Sequence, residues 1–413
     1  MEYDVGALPI VPISINDSTA VSVITACFYE CACEWEQADC RKLVRPVSGR
    51  HYPVLDVNLD AIRSNAQVLC GLCAQSNISV AGVIKFSDGD LQVARAYRDG
   101  GCAQLGVSRA KHLQALKETF PDTETLLTRA PTRGDLEACA RYADLSLHAD
   151  ADVLKALNEE AGKWGTCPGI ILMLDVGDLR EGVDNIPELV ELAQLCENLP
   201  NLRLRGVGTG YACLNGVLPT EENMAFLLEG VEAVEDAIGR KLELVSGGSS
   251  INLLLMRDGI NQMPPRVNHL RLGGSIGNPM NMRLGRDFTY PGLREDSLRL
   301  TAEIVEIHEK ASAPKGPPTK NWAGEAVVRE DKGRRLRAIL ALGSQDVGDA
   351  ATLIPVDDGV EVVGCSSDHT IVDVTDSGRN WRSGDTLTFK VRYANMLYAF
   401  TGDHIQVEYI YDV

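Results

Sequence analysis

The sequence predicts a (β/α)8 TIM-type barrel followed by a C-terminal all-β domain, and three observations carry that reading. From Pro53 onward, short β-branched runs alternate with amphipathic helical stretches. Near Ser297 the helical stretches stop and strand-like runs continue alone. Aromatic residues make up only 5% of the chain, so the core must be aliphatic, which suits helices packed on buried parallel strands.

The elements follow in order. The run VLDVNL precedes a helix ending near Ser76, ISVAGVIKF precedes DLQVARAYRDG, and QLGVS precedes RAKHLQALKET. TLLTRAP, LSLHA, GIILMLDVG and LRLRGVGTG are each followed by a helical stretch, and LELVSGG and HLRLGGSI complete the series. The helices space their apolar residues at i, i+3 and i+4, as in Leu189, Leu192 and Ala193. Units of about 30 residues fit a closed barrel or an open doubly wound sheet, and eight or nine of them favour the barrel. After Ser297 come LRLTAEIVEIHEK, RLRAILALG, GVEVVGCSS, TIVDVTD, DTLTFKVRYA and IQVEYIYDV, read as strands without intervening helices. Turn clusters separate them, for example Ala313 to Asn321. The expected division is 1–52 as an N-terminal extension, 53–296 as barrel and 297–413 as β domain.

Composition narrows the function. The chain of 413 residues has 40 basic against 58 acidic residues, a net charge of −18 that repels phosphate backbones and anionic lipid. Neither nucleic acid nor a membrane is expected as a partner, and no apolar run reaches the ~18 residues of a membrane span. Most of the 12 cysteines sit singly in apolar segments, the pattern of buried free thiols in a cytoplasmic protein. Cys27, Cys31, Cys33 and Cys40 lack the paired spacing of a metal knuckle, and the Cys70/Cys73 pair lies on a helical stretch without a second knuckle. No metal site is predicted. The basic run from Lys332 to Arg337 reads as a solvated turn or local ion pairing.

In a parallel barrel the working residues lie just past the C-terminal strand ends. Lys85 closes the apolar run Ala-Gly-Val-Ile-Lys-Phe, where desolvation lowers an amine's pKa and makes it a nucleophile towards carbonyls, unless it extends to solvent. Asp175-Val-Gly-Asp-Leu-Arg-Glu-Gly182 follows GIILML, and its glycines permit a tight loop that either turns Arg180 into the barrel mouth or leaves it on the surface. Val245-Ser-Gly-Gly-Ser-Ser250 and Arg271-Leu-Gly-Gly-Ser-Ile276 are two Gly-rich strand ends shaped for a phosphate. A lysine facing two phosphate-type loops suggests a phosphorylated aldehyde cofactor, a description that pyridoxal 5'-phosphate fits.

With these segments, together with PVLDVNLDAIRSNA, GVLPTEEN, GSQDV and GCSSDHTIVDVTD, the chain from Pro53 to about Asp412 resembles the alanine racemase-like (fold type III) pyridoxal-phosphate enzymes. It is most similar to their alanine/ornithine racemase branch. The resemblance implies that Lys85 bonds the cofactor aldehyde and moves the substrate's α-proton. It implies that Arg180 steadies the phenolic oxygen, that Ser249, Ser250, Gly273 and Gly274 hold the phosphate, and that Arg271 faces the pyridine nitrogen. A guanidinium there keeps the ring nitrogen unprotonated and the carbanion short-lived.

The chain also departs from the pattern. The phosphate-binding tyrosine four residues after the lysine is Gly89, and the ring-stacking histidine falls at Gly210. The tyrosine that donates a proton on the opposite face falls near Ser344. Two-base racemisation needs a second group. Asp346, Ser367, Asp368 and His369 are the candidates, carried on a β domain that the resemblance implies reaches the active site of the partner in a homodimer. The alternative is one base, with Lys85 swinging or a water helping. Loss of the bulky tyrosine and the acidic groups nearby favour ornithine or another basic amino acid over alanine. The expected activity is an amino-acid racemase. Its rivals are another fold type III reaction (decarboxylation, or aldol cleavage or dehydration of a D-amino acid), a non-catalytic cofactor binder, and an interaction scaffold.

Overall fold

A computed structural model describes residues 50–412, apart from 258–261, 318 and 322. The cysteine-bearing stretch of the N-terminal extension, with Cys27, Cys31, Cys33 and Cys40, therefore lies outside the described residues, as does Trp322.

Sixteen strands are described. Eight of them close a parallel barrel: β2 (Ser79–Val83), β3 (Gln104–Val107), β4 (Glu124–Leu127), β5 (Leu145–His148), β6 (Gly169–Met173), β7 (Arg203–Gly208), β8 (Leu244–Ser249) and β9 (His269–Leu272). Closure comes from β9 pairing back to β2, with Ser79 opposite His269 and Gly82 opposite Leu272. Local signals set the helices between them. Asp90 caps Leu91–Asp99 by accepting from the backbone N–H of Gln92 and Val93, and Asp150 does the same for Ala151–Trp164. Thr220 and Asn223 form a capping box at the start of Glu221–Ile238. The barrel interior is partly apolar, with Ala81, Leu126, Leu145, Leu147, Ile171 and Met173 in one small cluster. It is also partly polar: His269 sits between Ser246 Oγ at 2.8 Å and Gln104 Oε1 at 2.7 Å.

The second sheet holds the other eight strands: β1 (Val54–Asn58), β10 (Leu298–Ala311), β11 (Arg334–Leu340), β12 (Ile354–Pro355), β13 (Glu361–Cys365), β14 (Thr370–Asp373), β15 (Thr386–Lys390) and β16 (Gln406–Ile410). Two expectations change here. The run VLDVNL, taken as the first strand of the barrel, is β1 and lies between β10 (antiparallel) and β16 (parallel). Four of its five residues are buried, so the run has no alternation that could tell one buried sheet from another. The second change is that the β domain is not purely β. Tyr393–Thr401, whose first two residues close the run read as a strand, is a helix between β15 and β16. Its aromatics and Leu resemble a strand in composition, yet Met396 and Ala399 are buried at helical spacing.

The basic run around Arg335 is paired within this sheet. Arg335 reaches Asp373 at 2.9 Å and also Asp376, and Lys332 reaches Glu361 at 3.1 Å. Among the described residues no helix is long and apolar enough to cross a membrane.

Candidate active site

A cleft of about 1320 Å³ opens at the C-terminal ends of the barrel strands. Its lining includes Lys85, Arg180, Glu181, Cys213, Ser249, Ser250, Arg271, Gly273, Gly274 and Tyr393. All seven cofactor residues expected from the sequence are thus brought to one cavity.

Lys85 begins a short 3-10 turn, Lys85–Ser87, immediately after β2. Its side chain is accessible from the cleft, but the walls around it still limit hydration of the charge. That desolvation, helped by the nearby Arg180 and Arg271 guanidinium groups, holds its pKa below the ordinary lysine value, against an opposing pull from Cys213 and Glu181. The amine is therefore shifted towards its neutral, nucleophilic form.

Arg271 is buried on β9, bonded to Ser246 Oγ and, at 2.6 Å, to the carbonyl of Thr209. Burial pushes its pKa down to about 10. It is thus a fixed cation whose described partners are neutral. Behind it His269 is held neutral by burial, its pKa pushed down to about 3.

The cradle is made by the ends of β8 and β9. Ser250 Oγ lies 2.8 Å from Ser275 Oγ and accepts a long bond from Gly273 N–H at 3.4 Å. A Cβ at Gly273 would come 2.9 Å from the carbonyl of Val83, so glycine is what lets this turn pack against the strand carrying Lys85. Tyr393 covers the cradle, its ring 3.4 Å from where a Cβ of Gly274 would stand, and burial pushes its phenol up to about 12. Two asparagines fasten that helix to the barrel: Asn281 Oδ1 accepts from Tyr393 N–H at 2.9 Å, and Asn278 donates to the Val391 carbonyl at 2.8 Å. Tyr393, Glu181 and Cys213 were not found from the sequence. Tyr393 was hidden in a run read as a strand, and Glu181 and Cys213 sit in the loops after GIILML and LRLRGVGTG, where nothing in the linear pattern sets them apart from solvated loop residues.

Arg180 lies in the loop after β6, paired with Glu181 through Nε–Oε2 at 2.5 Å and Nη2–Oε1 at 2.6 Å. A Cβ at Gly182 would stand 2.6 Å from the backbone N of Asp175, so the loop closes only with glycine there. Asp178 ties this loop to the one after β7. Its carboxylate accepts from the N–H groups of Cys213, Leu214, Asn215 and Val217 at 2.9 to 3.3 Å. Burial would raise its pKa, but those four donors hold it below the ordinary carboxylate value.

The expected second-face groups stand elsewhere. Asp346 is buried and accepts from Gly343 N–H at 2.7 Å, a turn-closing role. Asp368 is exposed and accepts from Gln345 at 2.5 Å and Ser367 at 2.8 Å, and His369 is exposed beside it. None of these lines the cleft of its own chain. Gly89 packs against His112, where any side chain would collide with the ring at 2.6 Å, and it does not reach the cleft either.

A closed parallel barrel with a lysine at one strand end, a small-residue cradle at two others and a β domain over its mouth belongs to the barrel enzymes that hold a phosphorylated cofactor. Comparison with known proteins makes the class specific. The alanine racemase N-terminal domain matches residues 57–276, and this chain belongs to the alanine racemase family. It is 34% identical to an ornithine racemase of Acetoanaerobium sticklandii over 86% of this chain and 99% of that protein. It is 35% identical to a lysine racemase of Thermotoga maritima over 87% and 98%. Among solved structures, the alanine racemase of Bacillus anthracis superposes with a TM-score of 0.67 at 17% identity, covering 88% of this chain and 96% of that one. The D-threonine aldolase of Filomicrobium marinum superposes with 0.66 at 16%, over 86% and 92%, so the fold is shared beyond racemases.

The residues present fit pyridoxal phosphate, the cofactor of this family. Glycine at 273 lets the cradle turn close against Val83, the accessible amine is shifted towards neutrality, and the one buried guanidinium among the described residues of the cleft has no carboxylate partner there.

Proposed function

We propose that this protein is a pyridoxal-phosphate-dependent racemase that interconverts the L- and D-forms of a basic amino acid, ornithine or lysine, rather than alanine. The observation that carries the reading is the meeting of Lys85 with the Ser250/Gly273/Gly274 cradle in one cleft. The two relatives named for ornithine and lysine, matched over nearly their whole length, support the substrate class.

In this reading Ser249, Ser250, Gly273 and Gly274 hold the phosphate, Arg180 the phenolic oxygen, and Lys85 the aldehyde carbon. Bound there, the cofactor supplies an electron-withdrawing ring that acidifies the substrate's α-C–H. Arg271, as a cation, would stand towards the ring nitrogen and keep it unprotonated. Lys85 would take or return the substrate's α-proton on its own face. The opposite face needs its own proton carrier. We assign it to the β domain of a second copy of this chain in a homodimer, with Asp368 or His369, both exposed, ahead of Asp346, whose carboxylate already closes a turn. A reducing, cytoplasmic setting suits the free cysteines of the described residues.

Lys85→Ala tests the assignment. The purified variant should lose both the visible absorbance of bound cofactor and all racemisation of ornithine and lysine. Retained turnover in that variant would overturn the reading. Solvent deuterium appearing at the α-carbon, with no new small fragment, separates racemisation from decarboxylation or aldol cleavage.

A further inference from the structure

A basic amino acid carries a second ammonium, and this cleft is mostly cationic. Among the described residues lining it, Lys85, Arg180, Arg257 and Arg271 carry positive charge and Glu181 alone is a carboxylate. Within a few ångströms and away from bulk water, like charges repel strongly. Among the described lining residues, Glu181 is therefore the favourable place for a cationic side chain to end.

Glu181 is able to receive it. An ionised carboxylate offers about four acceptor positions, and the two bonds to Arg180 occupy only part of them. The side chain keeps 32% of its surface exposed. A Cβ built at Gly210 would lie 3.8 Å from Glu181 Oε1 and 3.6 Å from Arg180 Nη2. Any larger residue at 210 would lie across these groups, and glycine leaves the carboxylate uncovered. The charge of Glu181 is felt at both Lys85 and Arg271, so the carboxylate is within electrostatic reach of the reacting end of the cleft. Its backbone is held by the glycine closure at Gly182 and by the neighbouring Asp178 clamp. The site is preformed.

We infer that Glu181 is the specificity-determining residue of the cleft, accepting the side-chain ammonium of ornithine or lysine on the lone pairs that Arg180 leaves free. The inference rests on the racemase reading above and names the group that selects its substrate. The competing role is purely structural, with Glu181 doing no more than orienting Arg180.

The experiment compares L-ornithine with L-norvaline, the same carbon chain without the terminal amine, on cofactor-loaded protein. The quantity read is the ratio of the inhibition constant for norvaline to the KM for ornithine, which cancels any loss common to both. In Glu181→Gln this preference should fall by about tenfold or more, equivalent to ~1.4 kcal/mol. Glu181→Asp should keep part of it. Gly210→Val, which places a side chain over the carboxylate, should lower it in a protein whose Glu181 is intact, and so covers the case of a Gln variant that folds poorly. An unchanged ratio in Glu181→Gln or in Gly210→Val, even with both ligands weakened, overturns the subsite and leaves Glu181 as an anchor for Arg180. If the wild-type protein racemises neither ornithine nor lysine, the racemase reading fails first and the subsite with it.

Discussion

Gly273 shows how one residue sets the cofactor cradle. Its missing side chain lets the turn after β9 lie against the carbonyl of Val83, two residues before Lys85, and so, on the proposed reading, sets the spacing between the phosphate and aldehyde ends of the site. Gly273→Ala would press a methyl to 2.9 Å from that carbonyl, whereas a methyl at Gly274 would meet the Tyr393 ring at an ordinary 3.4 Å. We expect Gly273→Ala to weaken pyridoxal phosphate binding by about tenfold, ~1.4 kcal/mol, and Gly274→Ala to weaken it much less. Spectroscopic titration of the cofactor-free proteins checks both. The glycine pair was legible in the sequence because it stands at a late strand end of a barrel that carries a lysine at an earlier one, a joint position that few other uses explain. Glu181 was not, because an acidic residue in a loop is ordinarily solvated, and only its position among four cations gives it meaning.

At the level of elements, the site depends on two loops that neither pack as a helix nor pair as a strand. The segments after β6 and β7 are joined by one carboxylate, Asp178, which accepts four backbone N–H bonds across 35 or more residues of chain. Removing it strands those donors, at a cost on the order of 1–3 kcal/mol. In Asp178→Ala the segment 212–218 should become a site of limited proteolysis while the far-ultraviolet dichroism of the barrel is unchanged, and racemisation should fall with it. A loop as resistant as wild type would show that the clamp is dispensable. The barrel helices were legible because capping residues such as Asp90, Asp150 and Thr220 sit at their starts. The helix carrying Tyr393 was not: Arg392 N–H is capped by Asn395, a signal too local to outweigh the aromatic composition of YANMLYAF. Nor was the partner of β1, since a strand buried on both faces carries no information about which sheet buries it.

For the molecule as a whole, the polar filling of the barrel makes stability depend on pH. His148 and His269 are held neutral by burial, with pKa values pushed down to about 4 and about 3. In the unfolded chain histidine titrates near ~6.5. Below that pH the unfolded state binds protons that the folded state refuses, so stability falls as pH falls from about 6.5 towards the depressed values. Asp178, Glu235 and Asp373 also have lowered folded values. Their contribution is complete above the unfolded carboxylate pKa of ~4 and is lost below it, at the acid end of the same decline. Calorimetry should therefore show the melting temperature dropping between about pH 6.5 and 4, as the two histidines remove stability at roughly 2 kcal/mol per pH unit over most of that window. A flat profile over that window would mean that the barrel interior admits the charged forms. The net charge of −18 adds self-repulsion that acid relieves, so the expected decline runs against the global charge and reports the interior.

Taken alone, the sequence determined the repeating βα units, the change to strands near Ser297, the lysine at a strand end and the two glycine turns. All of these are local, written as periodicity or as residue types that few backbone positions require. Tertiary structure decided what depends on residues far apart in the chain. It moved Val54–Asn58 out of the barrel and into the sheet of β10 and β16, and brought Tyr393 back over a cradle more than 100 residues earlier through Asn278 and Asn281. It also set Glu181 as the one carboxylate among the cations of the described cleft. The physical reason is the same in each case: burial and charge pairing depend on three-dimensional neighbours, and a linear pattern names the residues without naming those neighbours.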